Sequence, residues 1–184
     1  MKRLFVAIKI HPSEKYKEVF RLISTSLRHE RIKWVEPQNM HLTLKFLGET
    51  DDRKIPEINT ALQNAVATAA PFELKITNTG IFGSRYDPKV IWFGIDKNLE
   101  LEKLAKNIFA ELQPCGWQPD RQNFVPHLTI GRIKEISDKP LFQQIISKFN
   151  SVEIQNEAVS EIMLYESILK REGPTYIAVS RFKL

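Results

Sequence analysis

Cysteine is nearly absent from this sequence, and long apolar runs are missing. Its 184 residues include one cysteine, Cys115, which rules out an intramolecular disulfide and suits a reducing compartment. No apolar run approaches the length that crosses a bilayer, and Lys9 and His11 interrupt the opening apolar segment before it resembles a signal peptide. These absences predict a cytoplasmic protein with no membrane partner.

Metal-ligand clusters and long basic tracts are missing as well. A lone cysteine and four scattered histidines give no spacing typical of zinc, so we expect neither a metal nor another cofactor. The 27 basic and 22 acidic residues leave a net charge of +5, which favours an acidic partner such as RNA. The same modest charge also suits simple solubility, and no basic tract indicates a dedicated arm.

The composition that is present is that of an ordinary globular protein. Hydrophobic residues make up 42% and charged residues 27% of the chain, and 184 residues can bury a substantial core. No low-complexity segment or linker divides the sequence. We therefore expect one domain over residues 1–184, and a monomer.

One short motif occurs twice. The pattern His-x-Thr, with aliphatic second and fourth residues, begins at His41 and again 86 positions later at His127. Alternate residues of a strand share a face, so each copy presents an imidazole beside a hydroxyl, His41 with Thr43 and His127 with Thr129. One copy would be weak evidence, because threonine is common in strands and histidine often has a structural role. Two copies in a chain of four histidines favour a functional site.

The chemistry of these four side chains suits phosphate esters. Two imidazoles brought together can act as a general acid and a general base near neutral pH. Two hydroxyls between them can donate hydrogen bonds to an oxyanion. Such a pair can deprotonate water on one side of a phosphorus atom and protonate the leaving oxygen on the other, without a metal.

The sequence resembles the 2H phosphoesterase superfamily, which is named for two His-x-Thr-x motifs. Within it, the chain is most similar to the bacterial and archaeal RNA 2',3'-cyclic phosphodiesterases, also called 2'-5' RNA ligases. The specific segments are residues 39–48 and 124–132, and weaker matches lie at residues 3–8, 33–35, 90–94 and 162–167. The resemblance therefore covers nearly the whole chain.

The resemblance implies an activity and roles for the motif residues. It implies hydrolysis of RNA 2',3'-cyclic phosphate ends to a 2'-phosphate, with 2'-5' ligation as the reverse reaction. It also implies His41 as the acid and His127 as the base, roles that the residues themselves do not separate. Thr43 and Thr129 are expected to hold the non-bridging phosphate oxygens.

Three flanking residues are further candidates for substrate binding. Lys45 lies four residues after His41, so strand parity puts it on the same face; a solvated lysine at the rim is the alternative. Arg132 has the wrong parity, but the family uses an arginine at this offset for phosphate, and a bulge near Gly131 would turn it inward. Phe124 matches the family's Phe-x-Pro-His pattern and is a candidate for base stacking or for core packing.

Periodicity outlines the secondary structure. Apolar or alternating runs predict strands over residues 4–10, 32–35, 42–47, 72–77, 89–95, 127–133, 152–156, 161–167 and 176–182. Amphipathic spacing predicts helices over residues 13–27, 53–67, 99–112 and 141–149. Residues 80–87 are expected to form a loop, and residues 114–119 an irregular segment.

These elements are interpreted as one strand–helix–strand unit used twice in succession, with one His-x-Thr motif in each. We predict an α+β fold with a bilobal, pseudo-two-fold arrangement of two antiparallel sheets, helices on the outside and a central cleft between two similar lobes. Both imidazoles are expected in that cleft.

Three other functions stay open at this level. An enzyme of the same superfamily can act on a small cyclic nucleotide phosphate or on 2',5'-oligoadenylate. An RNA-binding module can carry the histidine pair without turnover. A metal-dependent phosphodiesterase is disfavoured because the sequence shows no cluster of Asp and His ligands.

Overall fold

The computed structural model describes residues 1–118, 124–170 and 173–184, and this part of the chain forms four α-helices and nine β-strands. In chain order these are β1 (Lys2–Lys9), α1 (Glu14–Ser26), β2 (Arg31–Trp34), β3 (His41–Thr50), α2 (Ile55–Val66), β4 (Phe72–Gly83), β5 (Pro88–Ile95), α3 (Leu99–Leu112), β6 (His127–Glu135), α4 (Lys139–Lys148), β7 (Glu153–Val159), β8 (Glu161–Leu169) and β9 (Pro174–Lys183). Short 3₁₀ turns lie at Pro37–Asn39 and Asp52–Lys54. The segment predicted as irregular, residues 114–119, ends outside the described residues.

Side-chain caps fix where three of the helices begin. Ser13, Asn98 and Asp138 each accept a hydrogen bond from the backbone N–H three residues further on, at α1, α3 and α4 respectively. Such caps satisfy backbone donors that have no partner within the helix. The Asp138 cap starts α4 at Lys139, two residues before the predicted position.

The strands form two antiparallel sheets, which confirms the predicted α+β architecture. The first sheet has the order β3-β1-β8-β9 and the second the order β2-β6-β5-β4-β7. Helices α2 and α3 pack against β9 and β3 of the first sheet, and α1 and α4 pack against β7 and β4 of the second. The two motif strands, β3 and β6, therefore lie in different sheets.

The two lobes do not follow one another along the chain, which corrects the interpretation as two successive units. Strand β2 comes from the first part of the chain but pairs with β6 in the second sheet, whereas the hairpin β8–β9 at the end of the chain returns to the first sheet. The sequence pattern predicts each strand but not its partner, because a one-sided apolar strand can pair at several edges.

One continuous apolar core joins the helices to both sheets. Its buried members come from α2 and α3 as well as from the strands, and they include Val6, Ile58, Phe93, Leu104 and Leu128. A second, smaller apolar cluster lies on the opposite face of the first sheet, where the Phe5 ring packs with the rings of two tyrosines at positions 165 and 176. That second face is the one that meets the cleft.

Strand β4 extends through much of the segment predicted as a loop. A register shift at Asn78, whose φ is +34°, lets the strand continue to Gly83 after the predicted end at Thr77. Gly80 leaves room for the Trp92 ring, since a Cβ there would lie 2.2 Å from it. The extension brings Phe82 beside the second motif.

Candidate active site

Both His-x-Thr motifs open onto one cleft. His41 and His127 are the first residues of β3 and β6, and both line a cleft of about 670 Å³ together with Thr43 and Thr129. The aliphatic second and fourth residues of the two motifs are buried in the main core; they are Leu42, Leu44, Leu128 and Ile130. Alternation along each strand thus separates the side chains that line the cleft from those that pack in the core.

The two imidazoles are held in the same way. Nδ1 of His41 lies 2.6 Å from the carbonyl oxygen of Asn39, and Nδ1 of His127 lies 2.7 Å from the carbonyl oxygen of Val125. A carbonyl only accepts, so in each ring Nδ1 carries a hydrogen and donates it. Nε2 of each ring is then the nitrogen that is left to accept a proton.

Burial makes both imidazoles harder to protonate. Burial and, to a smaller extent, the charges of Lys9, Arg132 and His127 lower the pKa of His41 to about 4, against the opposing effect of the Asn39 carbonyl. Burial likewise lowers the pKa of His127, with Arg132 acting in the same direction. In the free cleft both rings are neutral at pH 7.

Aromatic rings fix the orientation of each imidazole. Phe5 and Tyr176 each place a ring centroid 5.0 Å from that of His41. The Phe82 ring stands perpendicular to His127 with a centroid distance of 4.6 Å. The edge-to-face contacts of Tyr176 and Phe82 and the tilted contact of Phe5 restrict imidazole rings that are otherwise free to rotate about their side-chain bonds.

A β-bulge interrupts each motif strand at the same offset from its histidine. In β3 the pairing with β1 skips Leu44, and in β6 the pairing with β5 skips Ile130, so the bulge falls three residues after each histidine. Each bulge reverses the alternation of the residues that follow it. The fifth residue after each histidine, Phe46 or Arg132, therefore lines the cleft.

The bulge in β3 overturns the prediction that Lys45 shares the face of His41 and Thr43. Lys45 pairs with Val6, a core residue, and is only 4% exposed. Its ammonium donates to the carbonyl oxygen of Gln118 at 2.9 Å and lies over the Phe109 ring. Lys45 is part of the packing behind β3 and does not line the cleft.

Arg132 does line the cleft, and a bulge next to Gly131 puts it there, as expected from the sequence. The bulge at Ile130 turns it inward. Gly131 faces the core instead, where a Cβ would approach the side chains of Ile32 and Trp34 to about 3 Å. The Arg132 charge also lowers the pKa of both imidazoles.

Phe124 lies outside the cleft, so the structure does not place it where it could stack a base beside the two histidines. Its ring packs edge-on against Phe109 with a centroid distance of 6.0 Å, and it lines a separate groove with Phe109 and Pro126 beside α3. Phe124 also packs against the main core, which agrees with the alternative of core packing. The residues from Phe124 to Pro126 thus lead the chain into β6 without contributing a ring to the cleft.

Sequence reasoning missed several residues that the structure brings to the cleft. Phe46 is 48% exposed and carries the Arg3 guanidinium over its ring at 5.0 Å. Lys33 and Tyr176 also line the cleft, from β2 and β9. Their positions depend on the bulge and on the strand pairing, and local periodicity indicates neither.

The described residues offer neither a metal-binding group nor a membrane-spanning helix. Within residues 1–118, 124–170 and 173–184, no three His, Cys, Asp or Glu side chains come together as a metal-binding group. In the same ranges, no helix is long and apolar enough to span a bilayer.

Two paired imidazoles, two hydroxyls and an arginine around one cleft define the class of a two-histidine phosphoesterase. Comparison with protein-family models matches residues 12–166 to the 2'-5' RNA ligase superfamily. The chain belongs to this superfamily, and it is an enzyme.

Curated relatives cover almost the whole chain. An RNA 2',3'-cyclic phosphodiesterase of Methanocaldococcus jannaschii is 35% identical over 180 residues, which are 98% of this chain and 99% of that protein. Proteins of the same name from Archaeoglobus fulgidus (34% identical, covering 95% of this chain and 96% of that protein) and Aquifex aeolicus (37% identical, covering 83% and 81%) are similarly close.

Solved structures share the fold over the full length. A Thermus thermophilus protein matches with a TM-score of 0.78 at 26% identity, covering 99% of this chain and 97% of that one. Escherichia coli LigT, crystallised with 3'-AMP, matches with a TM-score of 0.80 at 24% identity, covering 100% and 98%. The bilobal arrangement is therefore the fold of these proteins as well.

Proposed function

We propose that this enzyme hydrolyses the 2',3'-cyclic phosphate at an RNA end to a 2'-phosphate, by acid–base catalysis between His41 and His127 without a metal. The observation that carries the proposal is the equivalent anchoring of the two rings, each with Nδ1 bound to the carbonyl two residues upstream and Nε2 left for the cleft. The activity named for the curated relatives supports the same substrate.

The two histidines take opposite roles in one displacement. His127 accepts a proton from water, and the oxygen of that water attacks phosphorus. His41 donates its proton to the 3' oxygen as the bond from phosphorus to that oxygen breaks, so the phosphate stays on the 2' oxygen. Each positioned imidazole is worth about 10²–10⁴-fold in rate.

Binding of the substrate favours the protonated imidazole that the reaction needs. With both rings neutral in the free cleft, one of them must gain a proton before or during binding. The negative phosphate favours the charged form of a nearby imidazole and so raises its pKa towards neutrality. Arg132, Thr43 and Thr129 line the cleft where they can donate to the phosphate oxygens as negative charge builds on them.

Aromatic side chains on the first sheet supply an apolar wall for the nucleoside. Phe5, Phe46 and Tyr176 line the cleft on the His41 side. A sugar or base packed on this wall brings one ribose oxygen next to His41. Stacking on aromatic rings tolerates any base, which suits RNA ends of varied sequence.

The same pair of histidines can also join two RNA ends. The 5'-hydroxyl of a second RNA takes the place of water, loses its proton to His127 and attacks phosphorus, while His41 protonates the departing 3' oxygen. The product is a 2'-5' linkage, and cleavage of that linkage follows the same steps in reverse, with the acid and the base exchanging roles. Ligation therefore needs no further residue.

The proposal includes a monomer in the cytoplasm. The single cysteine suits a reducing compartment. Analytical size exclusion checks the monomer, and a dimeric elution volume would contradict it.

A defined RNA ending in a 2',3'-cyclic phosphate tests the proposed reaction. Incubation in excess chelator should open the ring, and phosphorus NMR should show a 2'-monophosphate only. A 3'-phosphate, a mixture of both, or turnover that stops in chelator and returns with a divalent cation would overturn it.

A further inference from the structure

The cleft holds more positive charge than the proposed reaction uses. Arg3, Lys33, Arg132 and Lys170 line it, with Glu36 as the carboxylate among the lining residues. Within the described ranges none of these four cations forms an ion pair. Cations that precede Arg3 and Lys33 on the same strands are paired, at positions 2 and 31.

Lys33 and Arg132 are direct partners across the β2–β6 ladder. Antiparallel partners share a face, so both long side chains project to the cleft side. Like charges directly opposite each other destabilise a sheet. The neighbouring pair on the same two strands, Arg31 and Glu135, is of opposite charge and forms a salt bridge. The like-charged pair thus lies at the cleft, where a bound anion would reduce the repulsion between the two cations.

The two cations of this pair face different parts of the cleft. The charge of Arg132 acts on both imidazoles, whereas Lys33 projects from β2, the strand at the edge of the sheet. The Lys33 ammonium reaches towards Gly173, the residue before β9, where a Cβ would lie 3.6 Å from Nζ. Lys170, the residue after β8, exchanges backbone hydrogen bonds with Gly173 and also lines the cleft.

We propose that Lys33 and Lys170 form a second anion subsite, which takes the phosphodiester that joins the terminal nucleotide to the rest of the RNA. This inference rests on the proposed function. It makes an oligonucleotide end the preferred substrate over a mononucleoside 2',3'-cyclic phosphate, because only the oligonucleotide carries a second phosphate.

The test compares a diadenylate ending in a 2',3'-cyclic phosphate with adenosine 2',3'-cyclic phosphate. The variant is Lys33→Met, which keeps the stem and removes the charge. Lys134→Met, at an exposed position of β6 outside the cleft lining, is the matched control. We expect the ratio of kcat/KM for the dinucleotide to that for the mononucleotide to fall about 10- to 100-fold, the worth of a charge-assisted hydrogen bond.

Several outcomes separate the alternatives. Recovery of the ratio in Lys33→Arg, and a steeper loss with added salt for the dinucleotide than for the mononucleotide, support the subsite. An unchanged ratio, or the same ratio change in Lys134→Met, overturns it. Equal losses on both substrates also overturn it, since Lys33 would then act on the terminal phosphate.

Failure of the proposed function is distinguishable from failure of the subsite. Wild-type protein that turns over neither substrate contradicts the cyclic phosphodiesterase activity. In that event, calorimetric titration with a diadenylate bearing a 2'-phosphate still decides the subsite: weaker binding by Lys33→Met than by Lys134→Met supports it, and equal affinity overturns it.

Discussion

Backbone carbonyl groups hold the imidazoles of His41 and His127. A carbonyl oxygen two residues upstream holds each Nδ1 at 2.6 or 2.7 Å, which fixes the tautomer without adding a negative charge beside the ring. Without such a charge, burial prevails and lowers both pKa values. The site is therefore prepared for an anionic substrate, whose own charge supplies the missing stabilisation of an imidazolium.

Asparagine in place of either histidine should greatly slow turnover without unfolding the protein. The asparagine amide can still donate to the upstream carbonyl, but it cannot exchange a proton. We expect His41→Asn and His127→Asn each to lower kcat by about 10²–10⁴-fold, with the double variant little worse than either, because the two act as a unit. Steady-state kinetics and thermal melts check this, and additive losses would contradict it.

The pH dependence of kcat/KM should reflect the lowered pKa values of the free enzyme. The rate rises as the base loses its proton and falls as the acid loses its proton. Since the pKa of His41 is about 4 and that of His127 is also below its usual value, both limbs should lie below about pH 6.5. The kcat profile should lie at higher pH, because bound phosphate raises both pKa values. A kcat/KM profile centred above neutral pH would contradict this.

Lys45 should matter for stability and not for the reaction. Lys45→Met removes a buried donor to the Gln118 carbonyl, and we expect a loss of about 1–3 kcal/mol in the free energy of unfolding. Urea denaturation measures this loss, with Lys134→Met as the exposed control. A large loss in kcat/KM at unchanged stability would instead show that Lys45 acts on the substrate.

At the scale of elements, short irregularities place the reactive side chains. The 3₁₀ turn Pro37–Asn39 supplies the carbonyl that holds His41, and its Asn39 side chain donates to the carbonyl at the start of β9. The bulges in β3 and β6 turn Phe46 and Arg132 inward. The long β4 brings its Phe ring at position 82 against the second imidazole. Each device interrupts or extends regular structure at a point that faces the cleft.

Alanine at Gly80 should disturb the second sheet beside His127. Its Cβ would lie 2.2 Å from the Trp92 ring, and overpacking of this kind costs about 1–3 kcal/mol of stability. Trp92 also contacts Phe82, so kcat should fall as well. If the clash is the cause, Gly80→Ala should cost less stability in a Trp92→Leu background, as a double-mutant cycle measured in urea would show. Equal costs in both backgrounds would contradict this.

At the scale of the whole molecule, the chain passes repeatedly between the two lobes. It changes sheet between β1 and β2, between β2 and β3, between β3 and β4, and again between β7 and β8. The main core is continuous between the sheets. Unfolding of either lobe would therefore break contacts that the other lobe makes.

Unfolding should consequently be a single cooperative transition. Trp34 lies in the second sheet, and Trp117 donates to the carbonyl of Leu47 in the first. Variants in which Trp92 and one of these two tryptophans are replaced report on one lobe each. Their fluorescence midpoints in urea should coincide with each other and with far-ultraviolet circular dichroism. Two separated midpoints would show that the lobes unfold independently.

The elements and the four motif residues can be predicted from the sequence, because they depend on local periodicity. The positions of Lys45 and Phe46 cannot, because parity counting fails once a bulge inserts a residue. The reach of β4 to Phe82 depends on a register shift, and the position of Lys33 opposite Arg132 depends on a pairing between distant segments. Such features are set by tertiary contacts.

The twin bulges carry a consequence for the direction in which a substrate can sit. The two ribose oxygens of a cyclic phosphate are nearly equivalent around the phosphorus atom. A cleft with perfect two-fold symmetry would therefore bind the cyclic phosphate in either of two orientations. Here the imidazoles and hydroxyls match across the cleft, but the fifth position is aromatic on one side, at Phe46, and cationic on the other, at Arg132. This mismatch gives the cleft a polarity, and exchanging the two residues should reverse which ribose oxygen leaves.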